Sequence, residues 1–235
     1  MNNYKIIYHY LKNCNVDFIN SNFILLFSKY IDLLLDWNKK IRLTSNSSIK
    51  SIMRHIIDSL QLIKLNFISH CETILDVGTG AGFPGLIFNM ITNKKVFLLE
   101  SNNKKCLFLK IVKSSLNLKN IFIINERAEI LAHNIEYREK FDLVVSRALS
   151  NFETAMELCS PFTKIYGYLV YYSTEKIRNY IEKNFSKFKI LGLENFDFFP
   201  YCVFNKKFYL FNVKKMWKTP IEYPRNFNKI KRNIL

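Results

Sequence analysis

Apolar residues in the amino-terminal part of the chain recur at spacings of three and four. Between positions 23 and 37 they are Phe23, Leu26, Phe27, Tyr30, Ile31, Leu34 and Trp37. This spacing places them on one face of a helix. A second helix is predicted from about Ser48 to Ile63, after a segment with N-cap candidates at Thr44, Ser45 and Asn46. The pattern therefore predicts a helical extension over residues 1–70.

From residue 71 to residue 219, short apolar segments alternate with helical ones. Strands are predicted at 74–77, 95–99, 121–125, 141–146, 166–172 and 207–213, and helices at 85–91, 103–116 and 153–161. This alternation favours right-handed βαβ crossovers and a mostly parallel sheet, which is an α/β fold. A hairpin of the last two strands would add one antiparallel strand. The segment 190–205 is interpreted as irregular, with its aromatic residues in the core and at the sheet edge.

Residues 220–235 form a basic tail with little apolar content. Its basic residues are Arg225, Lys229, Lys231 and Arg232. Terminal segments are poorly ordered unless other parts of the protein hold them, so we expect this tail to be mobile.

The first predicted strand ends in a glycine-rich turn, Asp76-Val77-Gly78-Thr79-Gly80-Ala81-Gly82. Glycine permits positive φ and lets a ligand approach the main chain closely. The helix that follows presents its N–H groups, so the turn predicts a nucleotide-binding corner. A dinucleotide fingerprint would place its third glycine where Phe83 stands. An acid two positions before G-x-G-x-G is instead typical of S-adenosylmethionine-dependent methyltransferases.

Residues at the ends of the next strands fit a nucleoside. Glu100 ends the second strand and can accept hydrogen bonds from both ribose hydroxyls, a feature shared with NAD-binding folds. After the third strand, Glu129 and the Ala128 backbone are placed to meet an adenine. Taken singly, Glu129 is explained equally well as an acid near the positive end of a helix. Arg147 follows the fourth strand, where methyltransferases keep the group nearest the methyl.

Composition indicates a polyanionic partner and a location in the cell. The 235 residues carry a net charge of +16, which favours nucleic acid, although AT-rich codon usage also enriches lysine. The five cysteines are scattered and never at C-x-x-C spacing, which argues against a disulfide framework or metal site and for the cytoplasm. No long apolar run predicts a membrane span, and the first residues lack the layout of a secretory signal.

Basic residues of the helical extension are candidates for contacts with RNA. We expect Lys39, Lys40, Arg42 and Arg54, together with the tail, to meet the phosphate backbone. His55 and Asp58 lie three apart on one helix face. Either His55 contacts RNA, or the two side chains hydrogen-bond each other and pin the helix to the main domain.

Several motifs, taken in order, resemble one family. They are Trp37-Asn38, Leu43-Thr44, Arg54-His55-Ile56-Ile57-Asp58-Ser59-Leu60, the segment Leu75 to Gly85, Arg127-Ala128-Glu129 and Ser146-Arg147-Ala148. This combination is similar to the RsmG family, also called glucose-inhibited division protein B, of bacterial 16S ribosomal RNA guanine-N7 methyltransferases. The resemblance runs from about residue 37 to 172 and more loosely over the whole chain.

The resemblance implies a class I methyltransferase fold with an amino-terminal helical extension. It also implies methylation of guanosine 527, in the 530 loop of 16S rRNA, with S-adenosylmethionine as cofactor. The partner is then 16S rRNA or the 30S subunit, and we expect a monomer without metal. Position by position, the resemblance makes cofactor contacts of Gly78, Phe83, Ala128, Glu129 and Arg147. The glycine turn adds Gly80 and Gly82, and the ribose argument adds Glu100.

Guanine N7 carries a lone pair and no proton, so its methylation needs no general base. Arg147 is therefore expected to be the catalytic residue by orienting the cofactor or base, since arginine can donate to guanine O6. Departures from the family occur at Arg42, at Ser173-Thr174 and in the tail, where only Pro224-Arg225 survives. Three alternatives stay open: an NAD-dependent oxidoreductase, a non-catalytic RNA-binding or ribosome-assembly protein, and a methyltransferase with another RNA target.

Overall fold

Three helices precede the sheet in the computed structural model, which describes residues 3–14, 16, 18–44 and 48–232. They are α1 (Asn3–Asn13), α2 (Ser21–Asn38) and α3 (Ile49–Lys64). The Asn20 side chain caps α2, and the Ser48 hydroxyl caps α3 by accepting from the Ser51 N–H. The two predicted helices are confirmed. The N-cap candidates Ser45 and Asn46 lie outside the described residues, and Ser48 is the observed cap of α3.

Seven strands and six further helices follow. The strands are β1 (Thr73–Val77), β2 (Lys95–Leu99), β3 (Ile121–Ile124), β4 (Phe141–Ser146), β5 (Thr163–Ser173), β6 (Leu193–Val203) and β7 (Lys206–Lys215). The helices are α4 (Gly85–Thr92), α5 (Asn103–Ser115), α6 (Ala128–Leu131), α7 (Phe152–Cys159), α8 (Glu175–Asn184) and α9 (Phe227–Arg232), and 3-10 turns cover Ser160–Phe162 and Phe185–Leu191.

The strands form one sheet in the order β3-β2-β1-β4-β5-β7-β6. Strands β1 to β5 run parallel, and β7 is antiparallel to both of its neighbours. The prediction of a mostly parallel sheet with one antiparallel strand is confirmed. The carboxyl ends of β1 to β5 therefore meet at one edge, where an open α/β sheet binds its ligands.

The interpretation of residues 190–205 as an irregular segment is wrong, because most of it is strand β6. This strand lies at the edge of the sheet, the place in a sheet where a proline such as Pro200 is tolerated. A bulge between Glu194 and Phe196 also breaks the alternation of side chains. Proline and bulge together hide the period-two pattern by which a strand is recognised.

Helices cover both faces of the sheet. Alternate residues of β1 divide between the two cores: Ile74 packs with α2 to α5, whereas Leu75 and Val77 pack with α6 and α7. The buried Tyr30 hydroxyl on α2 donates to the Ala81 carbonyl at 2.7 Å. The helical extension is thereby attached directly to the glycine turn. Among the described residues, no helix has the length and apolar character needed to cross a bilayer.

The described part of the tail is packed against the domain, so the expectation of a mobile tail is wrong for residues 220–232. Arg225 forms a two-pronged ion pair with the fully buried Glu157, at 2.8 Å and 2.6 Å. Arg138 donates to four carbonyls, including those of Thr219 and Tyr223. Ile230 is also buried. The sequence showed only the tail's charges and not the buried carboxylate that one of them neutralises.

Candidate active site

The glycine turn at the carboxyl end of β1 has a backbone conformation in which other residues would be strained. Gly78, Gly80 and Gly82 have φ angles of +74°, +61° and +106°. A Cβ on Gly78 would lie 2.4 Å from Leu149 Cδ1, and one on Gly82 would lie 2.8 Å from Leu86 Cβ. The N–H groups of Gly78 and Thr79 both donate to the Leu99 carbonyl of β2. The turn is therefore fixed to the second strand and needs its glycines.

Asp76 braces this turn from inside the protein. Its Oδ2 accepts from the Thr79 hydroxyl at 2.7 Å and from the Gly85 N–H at 2.8 Å. Its Oδ1 is buried without a hydrogen bond in the described part of the chain. Burial raises the pKa of this carboxyl to about 6, against the hydrogen bonds from Thr79 and Gly85, which lower it. The acid of the methyltransferase pattern thus holds both ends of the turn together.

Four predicted cofactor residues line one cavity of about 400 Å³, which we call the carboxylate cavity. They are Gly78, Glu100, Ala128 and Glu129, and Lys105 and Leu149 lie beside them. Glu100 accepts from the Gly80 N–H at 3.0 Å and from the Asn102 N–H at 2.9 Å. Glu129 lies 3.3 Å from the Arg127 guanidinium. The ends of β1, β2 and β3 therefore meet around one space, as their order along the chain predicted.

The carboxylate cavity fits an adenosyl group. Glu100 keeps lone pairs for ribose hydroxyls, because each carboxylate oxygen can accept twice. Ala128 begins α6, whose first N–H groups have no partner within the helix and can meet a ring nitrogen. A side chain at Gly78 would intrude where this cavity meets Leu149. These donors, these acceptors and the absent Cβ are compatible with an adenosyl group.

A second cavity, of about 480 Å³, lies on the other side of the glycine turn, and we call it the arginine cavity. It is lined by Arg54, His55, Asp58, Gly80, Phe83, Arg147, Tyr172, Tyr201 and Phe208, among others. Gly78, Lys105 and Ala148 line both cavities. Two ligands bound in the two spaces would therefore meet at Gly78.

Arg147 connects the residues of the arginine cavity. Its guanidinium carbon lies 5.2 Å from the centre of the Phe83 ring. Its Nη1 lies 3.7 Å from Asp58 Oδ2 and donates to the His55 carbonyl at 3.4 Å. The expected hydrogen bond between His55 and Asp58 is therefore replaced by an ion pair from Asp58 to Arg147. Helix α3 is pinned to the sheet, but by the arginine after β4.

His55 is neutral in this environment. Burial, together with the nearby positive charges of Arg147 and Arg54, lowers its pKa to about 3. Its ring packs on Phe83, with 5.3 Å between ring centres. A neutral imidazole offers no charge to a phosphate, so the geometry favours packing over a backbone contact for this residue.

Other predicted residues lie away from both cavities. Gly82 packs against Leu86 and Leu109 and shapes the turn from behind. Lys39 and Arg42 are exposed near the end of α2, where Lys39 lies 3.5 Å from Asp36. Of the substrate candidates, Arg54 and His55 alone line the arginine cavity within the described residues.

Sequence reasoning missed several aromatic residues of the arginine cavity, among them Tyr172, Tyr201 and Phe208. Tyr172 lies near the carboxyl end of β5, so the rule that directed attention to Glu100 and Arg147 could have found it. Tyr201 and Phe208 come from the hairpin of β6 and β7, and the Arg54 guanidinium lies 4.9 Å from the centre of the Phe208 ring. No sequence signal pointed to them, since half of this hairpin was interpreted as irregular.

The sheet order and the cavities define a class I S-adenosylmethionine-dependent methyltransferase. An antiparallel β7 between β5 and β6 departs from the all-parallel 3-2-1-4-5-6 order of dinucleotide-binding folds, which removes the main support for NAD. Residues 24–205 match the family model GidB, rRNA small subunit methyltransferase G. The chain therefore belongs to the rRNA small subunit methyltransferase G family.

Relatives agree with this assignment. The chain is 37% identical over 219 residues to Ribosomal RNA small subunit methyltransferase G of Lachnoclostridium phytofermentans, covering 92% of this chain and 90% of that protein. It is 34% identical to the protein of the same name from Clostridium botulinum strain Kyoto, covering 99% and 98%.

Two solved structures are similar in fold alone. A ribosomal protein L11 methylase from Lactobacillus delbrueckii subsp. bulgaricus has a TM-score of 0.52 at 13% identity, covering 70% of this chain and 80% of that one. M. jannaschii TYW2 in complex with AdoMet has a TM-score of 0.51 at 14% identity, covering 67% and 74%.

Proposed function

We propose that this protein transfers the methyl group of S-adenosylmethionine to N7 of guanosine 527, in the 530 loop of 16S rRNA. Family membership supports the class of reaction and an rRNA substrate. The observation that carries the proposal is the shared wall of the two cavities, formed by Gly78, Lys105 and Ala148. An adenosyl group in one cavity and a base in the other would be in contact there. We expect a monomer acting on 16S rRNA or the 30S subunit.

The carboxylate cavity would hold the cofactor. Glu100 would accept hydrogen bonds from the ribose hydroxyls, while Glu129 and the Ala128 N–H would bind the adenine edge. Gly78 and Gly80 would let the cofactor lie against the main chain. Phe83 would contact it from the side of the arginine cavity. S-adenosylmethionine, when bound, supplies an electrophilic methyl group on a positively charged sulfur.

The residues of the arginine cavity suit a reaction that needs placement and no proton transfer. Guanine N7 has an in-plane lone pair and carries no proton, so no side chain has to act as a base. His55, with a pKa near 3, would remain neutral throughout. Correct placement of two reactants is itself worth several kcal/mol. Arg147 would donate to guanine O6 and leave N7 unobstructed.

Basic residues at the arginine cavity and on the helical extension would hold the RNA backbone. Arg54 lies at the cavity and Lys39 and Arg42 lie exposed on the helical extension, which would make a path for phosphates. His55 would act indirectly by packing on Phe83. A loop nucleotide suits this arrangement, because an unpaired base can be turned into a pocket.

Labelled methyl transfer to unmethylated 16S rRNA and to 30S subunits tests the proposal, with the modified base mapped afterwards. We expect label at N7 of one guanine in the 530 loop. Arg147→Ala should lower transfer at least about tenfold, roughly 1.4 kcal/mol. Arg178→Ala, which removes a half-buried arginine of α8 that lines neither cavity, is the matched control.

Three results would contradict this account. Label on another guanine or another base would refute the target while keeping the methyltransferase. Unchanged turnover in Arg147→Ala would refute the role of that arginine. Absence of label on both RNAs, with cofactor still bound, would move the substrate elsewhere.

A further inference from the structure

The arginine cavity contains a buried carboxylate whose hydrogen bonds are incomplete. Asp58 on α3 is only 7% exposed, and its Oδ1 makes no hydrogen bond of acceptable geometry within the described residues. Arg147 approaches Oδ2 no closer than 3.7 Å. Burial raises the pKa of Asp58, against the nearby Arg147, Arg54 and Tyr201 hydroxyl, which lower it, and Tyr201 makes no hydrogen bond to Oδ1. A buried carboxylate in this state is costly unless something else binds it.

Two neighbours of Asp58 are in the same condition. The Nε of Arg54 and the hydroxyl of Tyr172 are buried and without hydrogen-bond partners in the described part of the chain. Both residues line the cavity that Asp58 lines. Because buried polar groups are normally paired, several unpaired ones around one space indicate a polar ligand.

The hydrogen-bonding edge of guanine matches the charges in the cavity. Along that edge guanine presents O6 as an acceptor, then N1–H and the N2 amino group as donors. Arg147 offers only donors and an ionised Asp58 offers only acceptors. The 3.7 Å between them suits two groups that meet neighbouring positions on one base edge. Adenine would place its amino group toward Arg147 and its unprotonated N1 toward Asp58, which are mismatches at both positions.

We propose that Asp58 determines specificity by accepting hydrogen bonds from N1–H and the N2 amino group of the target guanine. This inference rests on the proposed function, because it takes the base in the arginine cavity to be the one that is methylated. Arg147 donates to O6 at the same time. N7 lies on the far side of O6 from N1, so both contacts leave it open. The base must be unpaired, since cytosine would otherwise occupy the same edge.

The test removes one hydrogen bond from the base and the matching acceptor from the protein. Inosine lacks the N2 amino group of guanosine and keeps N7, O6 and N1–H. We would reconstitute 30S subunits from ligated 16S rRNA with guanosine or inosine at the target position. With the unaltered enzyme, kcat/KM should fall about tenfold or more on inosine, because the Asp58 oxygen loses its partner.

Asp58→Asn supplies the other half of the test. It keeps the shape but replaces an acceptor with an amide donor, so kcat/KM on guanosine should fall at least about tenfold. The ratio between guanosine and inosine should then approach one. If Asp58 serves only as a structural ion pair with Arg147, its loss should lower kcat/KM equally on both substrates. The ratio between guanosine and inosine would then stay unchanged. Asp32→Asn, at an exposed aspartate of α2, is the matched control and should behave as the unaltered enzyme.

Two outcomes would overturn the inference. One is equal use of guanosine and inosine by the unaltered enzyme, a measurement that stands even if Asp58→Asn fails to fold. The other is discrimination that survives in Asp58→Asn with S-adenosylmethionine affinity intact. Failure of the proposed function looks different, since the unaltered enzyme would then methylate neither RNA at this position.

Discussion

Two regions of this molecule bury charged side chains, and they treat them in opposite ways. In the tail clamp, which we define as Arg138, Glu157, Lys215 and Arg225, each charged group has close hydrogen-bond partners. Glu157 accepts three hydrogen bonds from Arg225 at 2.6–2.9 Å, and Lys215 donates to the Ser160 carbonyl at 2.8 Å and to Thr219. In the arginine cavity, Asp58 lies 3.7 Å from the Arg147 guanidinium, and one of its oxygens has no hydrogen bond within the described residues.

The charges of the tail clamp therefore stabilise the fold, whereas the charges of the arginine cavity are available to bind a ligand. A buried ion whose hydrogen bonds are complete has nothing left to offer a second molecule. A buried ion with incomplete hydrogen bonds lowers stability until a ligand completes them. The clamp should therefore respond to mutation through unfolding, and the two cavities through binding and turnover.

The largest effect is expected in the clamp. Arg225→Ala leaves the fully buried Glu157 unpaired, so the free energy of unfolding should fall by about 3–5 kcal/mol. Urea denaturation measures this. Lys189→Ala removes an exposed pair with Glu194 and should cost no more than about 1 kcal/mol. A loss below about 1 kcal/mol for Arg225→Ala would mean that the clamp does not hold the tail.

An intermediate effect is expected at Asp76 and depends on pH. Its folded-state pKa of about 6 lies above the usual 3.8, so the native state binds more protons between these values. The resulting stability is present below pH ~4 and lost as pH rises through ~6, by roughly 3 kcal/mol.

Asp76→Asn cannot ionise and should lack this loss of stability. The measurement is the free energy of unfolding of both proteins from pH 4 to 8, and the difference between them isolates this residue. Parallel pH curves would show that Asp76 titrates normally in the folded protein.

The smallest effect is expected on cofactor affinity. Glu100→Gln replaces a charged acceptor with a neutral amide, so binding of S-adenosylmethionine should weaken about tenfold, roughly 1.4 kcal/mol. Calorimetric titration measures this, with Glu136→Gln as a control at an exposed glutamate outside both cavities. Equal affinities would exclude Glu100 from the ribose site and shift the cofactor away from β2.

The sequence predicted the site best for residues that directly follow a parallel strand. Gly78, Glu100, Ala128 and Arg147 follow four successive parallel strands, and parallel strands bring their carboxyl ends to one edge. No contact between side chains had to be known in advance. Their roles toward the cofactor and RNA stay predictions, as do the boundaries at residues 70 and 219.

Partnerships across long sequence distances could not be predicted in the same way. Arg225 and Glu157 are 68 positions apart, and Asp58 and Arg147 come from a helix and a strand end that nothing in the sequence pairs. Helical spacing correctly placed His55 and Asp58 on one element but could not show which residue faces them. Tyr201 was hidden by an edge strand that contains a proline.

The hydrogen bond from Tyr30 to the Ala81 carbonyl also bears on whether the helical extension can be removed from the rest of the protein. Tyr30, Phe27 and Ile56 of the extension share one continuous core with Ile74 and Phe108. A truncation near residue 70 would strip one face of the sheet and leave the Ala81 carbonyl without its donor. The extension is consequently not a module to be exchanged between enzymes, and any chimera or minimal version of this protein has to keep it whole.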